Sequence, residues 1–288
     1  MATLIPLALK LSILLTVFAI GLSTRAEDIA YVLRRPRLLA RSLIAINIIM
    51  PVFAALLAAL FDLKPAVEIA LVALAVSPIP PLLPKKAVNA GGAASYAIGL
   101  LVVAAVLAII AVPVSVHVLG LVFGVQAEIP PRAVALILAA NVLAPIGAGI
   151  AVSHFARGVA ERLARPVSLT ASIMLALCLV PIAITAMPPV FTLIGQGTLA
   201  ATLAFVVVGL LTGYLLGGPE RDNRTVLALT VSSRHPGVAG AIASANFPHQ
   251  TQVLSAIFLY LLVNAAVSLP YAMWRRRRST AGLAAGPR

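Results

Sequence analysis

Residues 74–84 read Leu-Ala-Val-Ser-Pro-Ile-Pro-Pro-Leu-Leu-Pro, an apolar run that carries four prolines within seven residues. Each proline removes a backbone donor and clashes with the preceding turn, so one continuous helix cannot pass through this stretch. Unwound backbone at membrane depth is tolerated only where it is buried in protein or lines a wet cavity. The stretch therefore predicts a broken membrane helix; the simpler alternative is a proline kink in a packed helix.

The composition indicates that most of the surface faces lipid. The chain has 288 residues, of which 61% are hydrophobic and only 10% charged, whereas a soluble domain carries about 25% charged residues. The net charge of +13 does not indicate nucleic acid binding, because the basic residues form short clusters between apolar runs, as in cytoplasmic loops. The single cysteine, Cys178, excludes a disulfide framework.

Nine segments of the chain are long and apolar enough to be membrane-spanning helices, each of which needs about 20 residues. The third and the eighth contain central prolines and are predicted to be broken. No small-residue cleavage site follows the first segment, so we interpret it as a helix and not as a signal peptide. The fold class expected is an all-α polytopic membrane protein with spans at 4–23, 38–61, 66–91, 93–121, 132–154, 167–187, 198–217, 224–246 and 250–274.

The basic residues predict the orientation of these spans. Seventeen of them fall on one side of the nine-span arrangement, and only Lys64 and Arg132 fall on the other. Because cytoplasmic loops are rich in Lys and Arg, we expect the N-terminus outside and the C-terminus in the cytoplasm of a bacterial-type inner membrane. The seventeen are Arg25, Arg34, Arg35, Arg37, Arg41, Lys85, Lys86, Arg157, Arg162, Arg165, Arg221, Arg224, Arg275, Arg276, Arg277, Arg278 and Arg288.

A second stretch repeats the first in the opposite orientation. Residues 229–236 read Leu-Thr-Val-Ser-Ser-Arg-His-Pro and share Leu-x-Val-Ser-x-x-x-Pro with residues 74–81. Paired interrupted helices in inverted repeats are the best sequence indication of a transporter's binding site. We expect 77–84 and 232–237 to be non-helical and in contact, within a single transmembrane domain at 1–274. Its repeats would cover about 4–121 and 132–274, and a basic tail would follow at 275–288.

Short motifs distributed along nearly the whole chain carry a resemblance. They are Ala-Ile-Gly-Leu at 19–22, Arg-Arg-Pro-Arg at 34–37, Ile-Met-Pro at 49–51, Leu-Ala-Pro-Ile at 143–146, Arg-Thr-Val-Leu-Ala-Leu at 224–229, Pro-Gly-Val-Ala at 236–239, Asn264 and the closing arginine run. With these motifs the chain resembles the bile acid:sodium symporter superfamily. The resemblance implies a panel domain and a core domain of inverted repeats, with two discontinuous helices that cross at the centre of the core.

The chain departs from that family at the positions that hold sodium. The family's first crossover carries Ser and Asn ligands, and an ungapped alignment from Pro78 puts Leu83 and Pro84 there. The second carries a glutamate and a glutamine, at the positions of Thr230 and Arg234. Sodium coupling through these sites is therefore not expected, and no metal ligand is predicted. The proline-rich crossover is also similar to that of auxin-efflux carriers.

Arg234 is the strongest functional clue. A charge at the bilayer centre costs about 2.5–3.5 kcal/mol even on a mild scale, so its side chain should face a cavity. All eight acidic residues lie outside the predicted membrane centre, and a guanidinium suits a carboxylate or a phosphate. An anionic substrate is one candidate counter-ion. The alternative is that Arg234 binds backbone carbonyls freed by the break and braces it.

Other polar residues near the two breaks complete the candidate site. His235 could couple protons to transport, or it could be a neutral histidine bonded to a carbonyl. The mid-span asparagines, including Asn141, could contact substrate or only hydrogen-bond neighbouring helices. The predicted substrate-binding residues are Ser77, Pro78, Pro81, Thr230, Ser232, Ser233, Arg234, His235, Asn47 and Asn264.

Together these features predict a secondary transporter of a small organic solute, in particular an organic anion, that works by alternating access. Its expected partners are that solute, membrane lipid and a coupling ion, either proton or sodium, with no cofactor. No catalytic residue is predicted, because H-E-x-x-H, G-x-S-x-G and a midplane aspartate pair are absent from the sequence. Two alternatives stay open: a sodium-dependent bile acid-type symporter with neutral oxygen ligands, and a membrane sensor with a transporter fold.

Overall fold

The computed structural model describes residues 4–195 and 197–284, and within them every regular element is helical. A helix satisfies its backbone hydrogen bonds internally, as an apolar chain in lipid requires. The helices are α1 (Leu4–Ser23), α2 (Ala26–Leu33), α3 (Pro36–Ile44), α4 (Met50–Leu60), α5 (Pro65–Val76), α6 (Leu83–Asn89), α7 (Ala94–Phe123), α8 (Pro131–Leu138), α9 (Ala144–Phe155), α10 (Arg157–Phe191), α11 (Thr198–Leu216), α12 (Arg221–Ser232), α13 (Pro236–Asn246) and α14 (Val253–Ala284).

Several of the helices are long enough to cross a bilayer. Five segments of the described chain are long and apolar enough to do so, and Leu7–Ser23 and Pro65–Val76 are apolar but shorter. The chain is therefore a multi-pass membrane protein, while the count of nine spans stays a prediction. The five segments are Pro36–Leu60, Ala94–Phe123, Pro131–Phe155, Thr198–Leu216 and Val253–Arg278.

Two features at the helix ends differ from the sequence-based expectation. The eight-residue helix α2 occupies a predicted loop, and a search for 20-residue apolar runs cannot detect so short an element. The predicted basic tail is helical as far as Ala284, because α14 continues through the arginines. Arg275 is buried there and donates from Nε to the Thr225 hydroxyl at 2.6 Å. Arg288 and the end of that tail, 285–288, lie outside the described residues.

Two groups of helices make extensive contacts among their own members. In the first, α1 lies along both α9 and α10. It approaches α9 so closely that a Cβ atom at Gly149 would lie 2.4 Å from the carbonyl oxygen of Phe18. In the second group α5 contacts α4, α13 and α14, and α11 lies along α12. This second group contains both interrupted segments, α5–α6 and α12–α13.

A π-helical turn over Ala45–Ile49 joins α3 to α4 and leaves one carbonyl without a helical partner. The Met50 N–H donates to the carbonyl of Ala45, one residue further back than in an α-helix. The next donor along the chain would be residue 51, but Pro51 has no N–H. The carbonyl of Ile46 is therefore free to accept a hydrogen bond from outside its own helix.

A second π-helical turn over Ala139–Leu143 joins α8 to α9 with the same arrangement. The Ala144 N–H donates to the carbonyl of Ala139, and Pro145 follows. The carbonyl of Ala140 is thus the counterpart of the freed carbonyl in the first turn.

Candidate substrate site at two helix breaks

The first break separates α5 from α6. Residues 77–82 are not helical, and Ser77 is extended with ψ 149°. The N–H groups that would reach the Ser77 carbonyl are missing, because residues 80 and 81 are both proline. The prediction that the break extends to residue 84 was wrong: Leu83 and Pro84 begin α6, since proline is well tolerated in the first turn of a helix.

The second break separates α12 from α13 and is shorter than predicted. Only residues 233–235 are non-helical, because Ser232 ends α12 and Pro236 begins α13. The His235 side chain caps α13, with Nδ1 accepting from the Val238 N–H at 3.3 Å. A neutral imidazole that accepts at Nδ1 carries its proton on Nε2. This geometry is that of a neutral histidine bonded to backbone.

The two breaks lie against each other. The backbone N–H of His235 points to the carbonyl oxygen of Pro78 and to the hydroxyl of Ser77, both at 3.1 Å. A backbone N–H in the break of the eighth predicted span therefore finds its hydrogen-bond acceptors in the break of the third. Contact between the breaks is the arrangement expected from their matched sequences.

Arg234 bridges the breaks and the first π-turn. Its side chain is only 2% exposed, with Nη1 3.3 Å from the carbonyl oxygen of Ser77 and Nη2 3.1 Å from that of Ile46. Both carbonyls are freed by prolines downstream of them, so the arginine supplies the donors that the prolines cannot. No carboxylate of the described residues forms an ion pair with it. In this conformation the guanidinium braces the break.

The remaining predicted residues lie close to the breaks but differ in their hydrogen bonds and burial. Thr230 and Ser232 turn their hydroxyls back onto the carbonyls of Val226 and Leu229 in their own helix. Pro78 and Pro81 are buried. Asn47 is half-buried in the first π-turn.

The side chains of Ser233 and Asn264 connect the second break to α14. Ser233 accepts from Asn264 Nδ2 at 3.3 Å. The same amide nitrogen also lies 3.3 Å from the hydroxyl of Tyr260, which donates to the carbonyl of Ser232 at 2.7 Å.

Three buried polar atoms at this site have no hydrogen-bond partner in the described structure: Arg234 Nε, His235 Nε2 and Asn264 Oδ1. Buried polar groups in folded proteins nearly always have partners. The residues that carry these atoms lie on α14 and in the second break, so unpaired polar groups are concentrated in this part of the described structure.

The structure adds Lys86 and Tyr260 to the site residues predicted from the sequence. The sequence places Lys86 in a basic cluster at the cytoplasmic side, and in the structure its Nζ lies 2.7 Å from the Ser268 hydroxyl and 3.4 Å from that of Ser233. Its place inside the predicted span at 66–91 was the available signal, because a charge within a span is seldom accidental. Tyr260 gave no comparable signal, since a tyrosine in an apolar helix is ordinary.

An apolar cavity of about 340 Å³ extends along α5 to the first break. Val76, the last residue of α5, contributes to its wall, and Glu68 supplies a carboxylate further along the same helix. Val72, Val116, Leu119, Phe123, Ile242 and Phe247 are among the apolar side chains that line it. Ligand pockets of this volume with mainly apolar walls are common.

Two interrupted helices that meet beside unpaired polar groups in a multi-pass helical protein are typical of membrane transporters. The sodium bile acid symporter family matches residues 10–190, more than half of the chain, and the protein belongs to this family. The resemblance carried by the sequence motifs is therefore confirmed. A comparison with curated proteins finds no significant match.

The family consists of transporters rather than enzymes, and its name describes the symport of bile acids with sodium. A small-molecule substrate follows from membership of this family. The matched region contains the first break and ends within α10, so the break that carries Arg234 lies beyond it.

Proposed function

We propose that the protein is a secondary transporter that moves a small organic anion by alternating access at the two helix breaks, without the family's usual sodium sites. The single transmembrane domain would consist of nine spans in two inverted repeats. The N-terminus would lie outside and the C-terminus in the cytoplasm, in a bacterial-type inner membrane. The interrupted segments of the two repeats would then form the transport site.

Arg234 is the observation that carries the proposal of an anionic substrate. A buried guanidinium is stable only with charged or well-aligned polar partners, and here two of its nitrogens bind neutral carbonyls while Nε has none. A substrate carboxylate offers acceptors that form stronger hydrogen bonds than a carbonyl does. Substrate arrival would exchange the carbonyl bonds for a charge-assisted pair, and the brace would open as the substrate binds.

The shape and polarity next to the break support an amphipathic anion. The apolar cavity reaches Val76, directly before Ser77, whose carbonyl holds Arg234. An apolar body could occupy the cavity while its anionic group reaches the guanidinium. This division suits a bile-acid-like solute better than a small sugar, which has no apolar body to bury.

The side chains at the family's ligand positions support independence from sodium. Leu83 and Pro84 offer no side-chain oxygen, and the Thr230 hydroxyl is committed to the Val226 carbonyl at 2.8 Å. Arg234 brings a fixed positive charge to the fourth position. Hard cations bind oxygen ligands, most often carboxylates, and no group of three or more His, Cys, Asp or Glu residues in the described chain could hold a metal ion.

Binding of taurocholate, a bile-acid anion, to the purified protein would test the proposal. We expect the Arg234→Gln variant to lose at least tenfold in affinity, because a hydrogen bond to a buried charge contributes about 1.5–3 kcal/mol. Arg234→Lys keeps the charge but loses the planar fork, so its affinity should lie between the two. Replacing sodium by choline should leave binding by the wild type unchanged.

Lys85→Gln is the matched control, since Lys85 bonds to Ser168 and Ser172 on α10 and not to the breaks. It should bind taurocholate as the wild type does. Equal affinity of a folded Arg234→Gln variant and the wild type would show that the arginine is only a brace. A steep, saturable sodium requirement would favour the sodium-dependent alternative, and binding without counterflow in proteoliposomes would favour a sensor.

A further inference from the structure

Lys86 occupies a position between the two interrupted segments that the proposed transport cycle has not used. It projects from α6, in the first interrupted segment, to Ser233 in the second break and to Ser268 on α14. Both serines are buried, with 4% and 0% of the residue exposed, and Lys86 itself is half-buried. Its ammonium therefore connects three elements that must separate if the two segments move apart.

The surroundings of this ammonium resemble the oxygen shell of a bound cation. The nearest polar groups are neutral: the two serine hydroxyls, with Asn264 bonded to both serines. Asn264 Oδ1 is buried and has no partner. The charge is thus held by neutral oxygens, as a coupling cation would be, but it is covalently attached to the chain.

No charge of the described chain neutralises Lys86. None of its carboxylates lies within 4 Å of the Lys86 nitrogen. Helices α7, α12 and α14 pack against α6. Among their residues Asp222 is acidic, and its Oδ1 lies 3.8 Å from Nη2 of Arg275. The titratable or charged groups on these elements and at the second break are Tyr96, His117, Arg221, Asp222, Arg224, Arg234, His235, Tyr260, Tyr271, Arg275, Arg276, Arg277 and Arg278.

We propose that Lys86 is the coupling group of this transporter and that its proton takes the place of a coupling sodium ion. The inference rests on the proposed function. An anion bound beside an amine favours the ammonium form, and by reciprocity the ammonium favours the anion. Substrate and proton therefore bind together. After the anion leaves, the ammonium gives its proton to water on that side and returns as a neutral amine.

Accumulation of taurocholate in proteoliposomes under an inward proton gradient tests the inference, with the membrane potential clamped and sodium absent. One proton per monovalent anion gives an accumulation ratio of about ten for each pH unit. Counterflow of the same probe without a gradient serves as the second measurement, because it requires carrier function but no coupling. Lys85→Gln is the matched control and should retain the full accumulation ratio.

We expect Lys86→Gln to weaken taurocholate binding and counterflow without abolishing them, because the favourable charge beside the anion is lost, while its accumulation ratio falls to one. Lys86→Arg keeps a positive charge because its guanidinium does not release a proton. This variant should bind taurocholate but fail to accumulate it. Because it keeps the charge, it also serves as a control in case the glutamine variant misfolds. Wild-type accumulation that survives in either variant would overturn the role of Lys86 and leave the proposed function intact. Absence of counterflow in the wild type would overturn both.

Discussion

The Nη2 atom of Arg234 lies 3.1 Å from the carbonyl oxygen of Ile46, although 188 residues separate the two in the chain. This carbonyl is available only because a π-turn shifts the helical hydrogen bonds by one residue and Pro51 then provides no donor. The arginine and the proline are therefore two parts of one device. A buried charge is held by backbone that was left unpaired for it.

Replacing Pro51 by alanine should uncouple this device. Residue 51 would then offer an N–H to the Ile46 carbonyl and compete with Arg234 for it. We expect Arg234→Gln to cost roughly 1–2 kcal/mol less stability in the Pro51→Ala background than in the wild type. A double-mutant cycle from denaturant unfolding of the purified protein measures this difference. Additive effects of the two substitutions would show that the Ile46 contact contributes nothing.

Gly149→Ala should destabilise the packing of α1 against α9. The new Cβ would lie 2.4 Å from the Phe18 carbonyl oxygen and 2.8 Å from Gly21, and this contact is with backbone, which cannot rotate away. Overpacking of this kind costs about 1–3 kcal/mol. Gly147→Ala, on the same helix with nothing within 4 Å of its Cβ, is the control and should leave the melting temperature equal or higher. Equal melting temperatures of the two variants would contradict the close contact.

We expect the protein to lose stability in alkaline solution because of Tyr31. Burial is the largest influence and raises the pKa of its phenol above 10.0; the hydrogen bond from Asn223 opposes this and the Glu220 carboxylate adds to it. The folded state therefore holds this proton more tightly than the unfolded state. Stability should fall as the pH rises from about 10 through the folded-state pKa. Melting temperatures between pH 8 and 11 should fall less steeply for Tyr31→Phe, and parallel curves would refute this assignment.

The proposed orientation can be measured by cysteine labelling in a Cys178→Ser background. A cysteine at Lys64, between α4 and α5, should react with an impermeant maleimide added outside intact cells. One at Gly218, between α11 and α12, should react only after the membrane is opened. The expectation follows from the asymmetry of basic residues across the nine-span arrangement. Labelling of both positions from the same side would exclude that arrangement.

The helical segments could be predicted from the sequence, because an uninterrupted run of about 20 apolar residues is typical of a membrane-spanning helix. The first break could also be predicted, because four prolines in seven residues must interrupt a helix. The sequence located both breaks but made them too long, since proline is as compatible with the first turn of a helix as with a loop. Pro84 and Pro236 illustrate this, as each lies within the first two residues of its helix.

The contacts inside the site were less predictable. The sequence predicts an Arg234 that faces a cavity without an acidic partner and is compatible with two roles, anion binding and bracing of the break. Its acceptor at Ile46 depends on a π-turn, and a one-residue shift in hydrogen bonding leaves no mark on apolar periodicity. The contacts of Lys86 could not be predicted, because two adjacent lysines look like a loop cluster, whereas the helix turns them towards different neighbours, α10 and α14.

The second π-turn has a consequence for the route that solutes take. Ala140 is exposed and its carbonyl receives no helical hydrogen bond, because Ala144 bonds one residue further back and Pro145 follows. An unsatisfied carbonyl costs several kcal/mol in hydrocarbon, so we expect the Ala140 carbonyl to meet water or a polar group and not lipid tails. In the proposed transport function it would then offer a hydrogen-bond acceptor along the route of the solute.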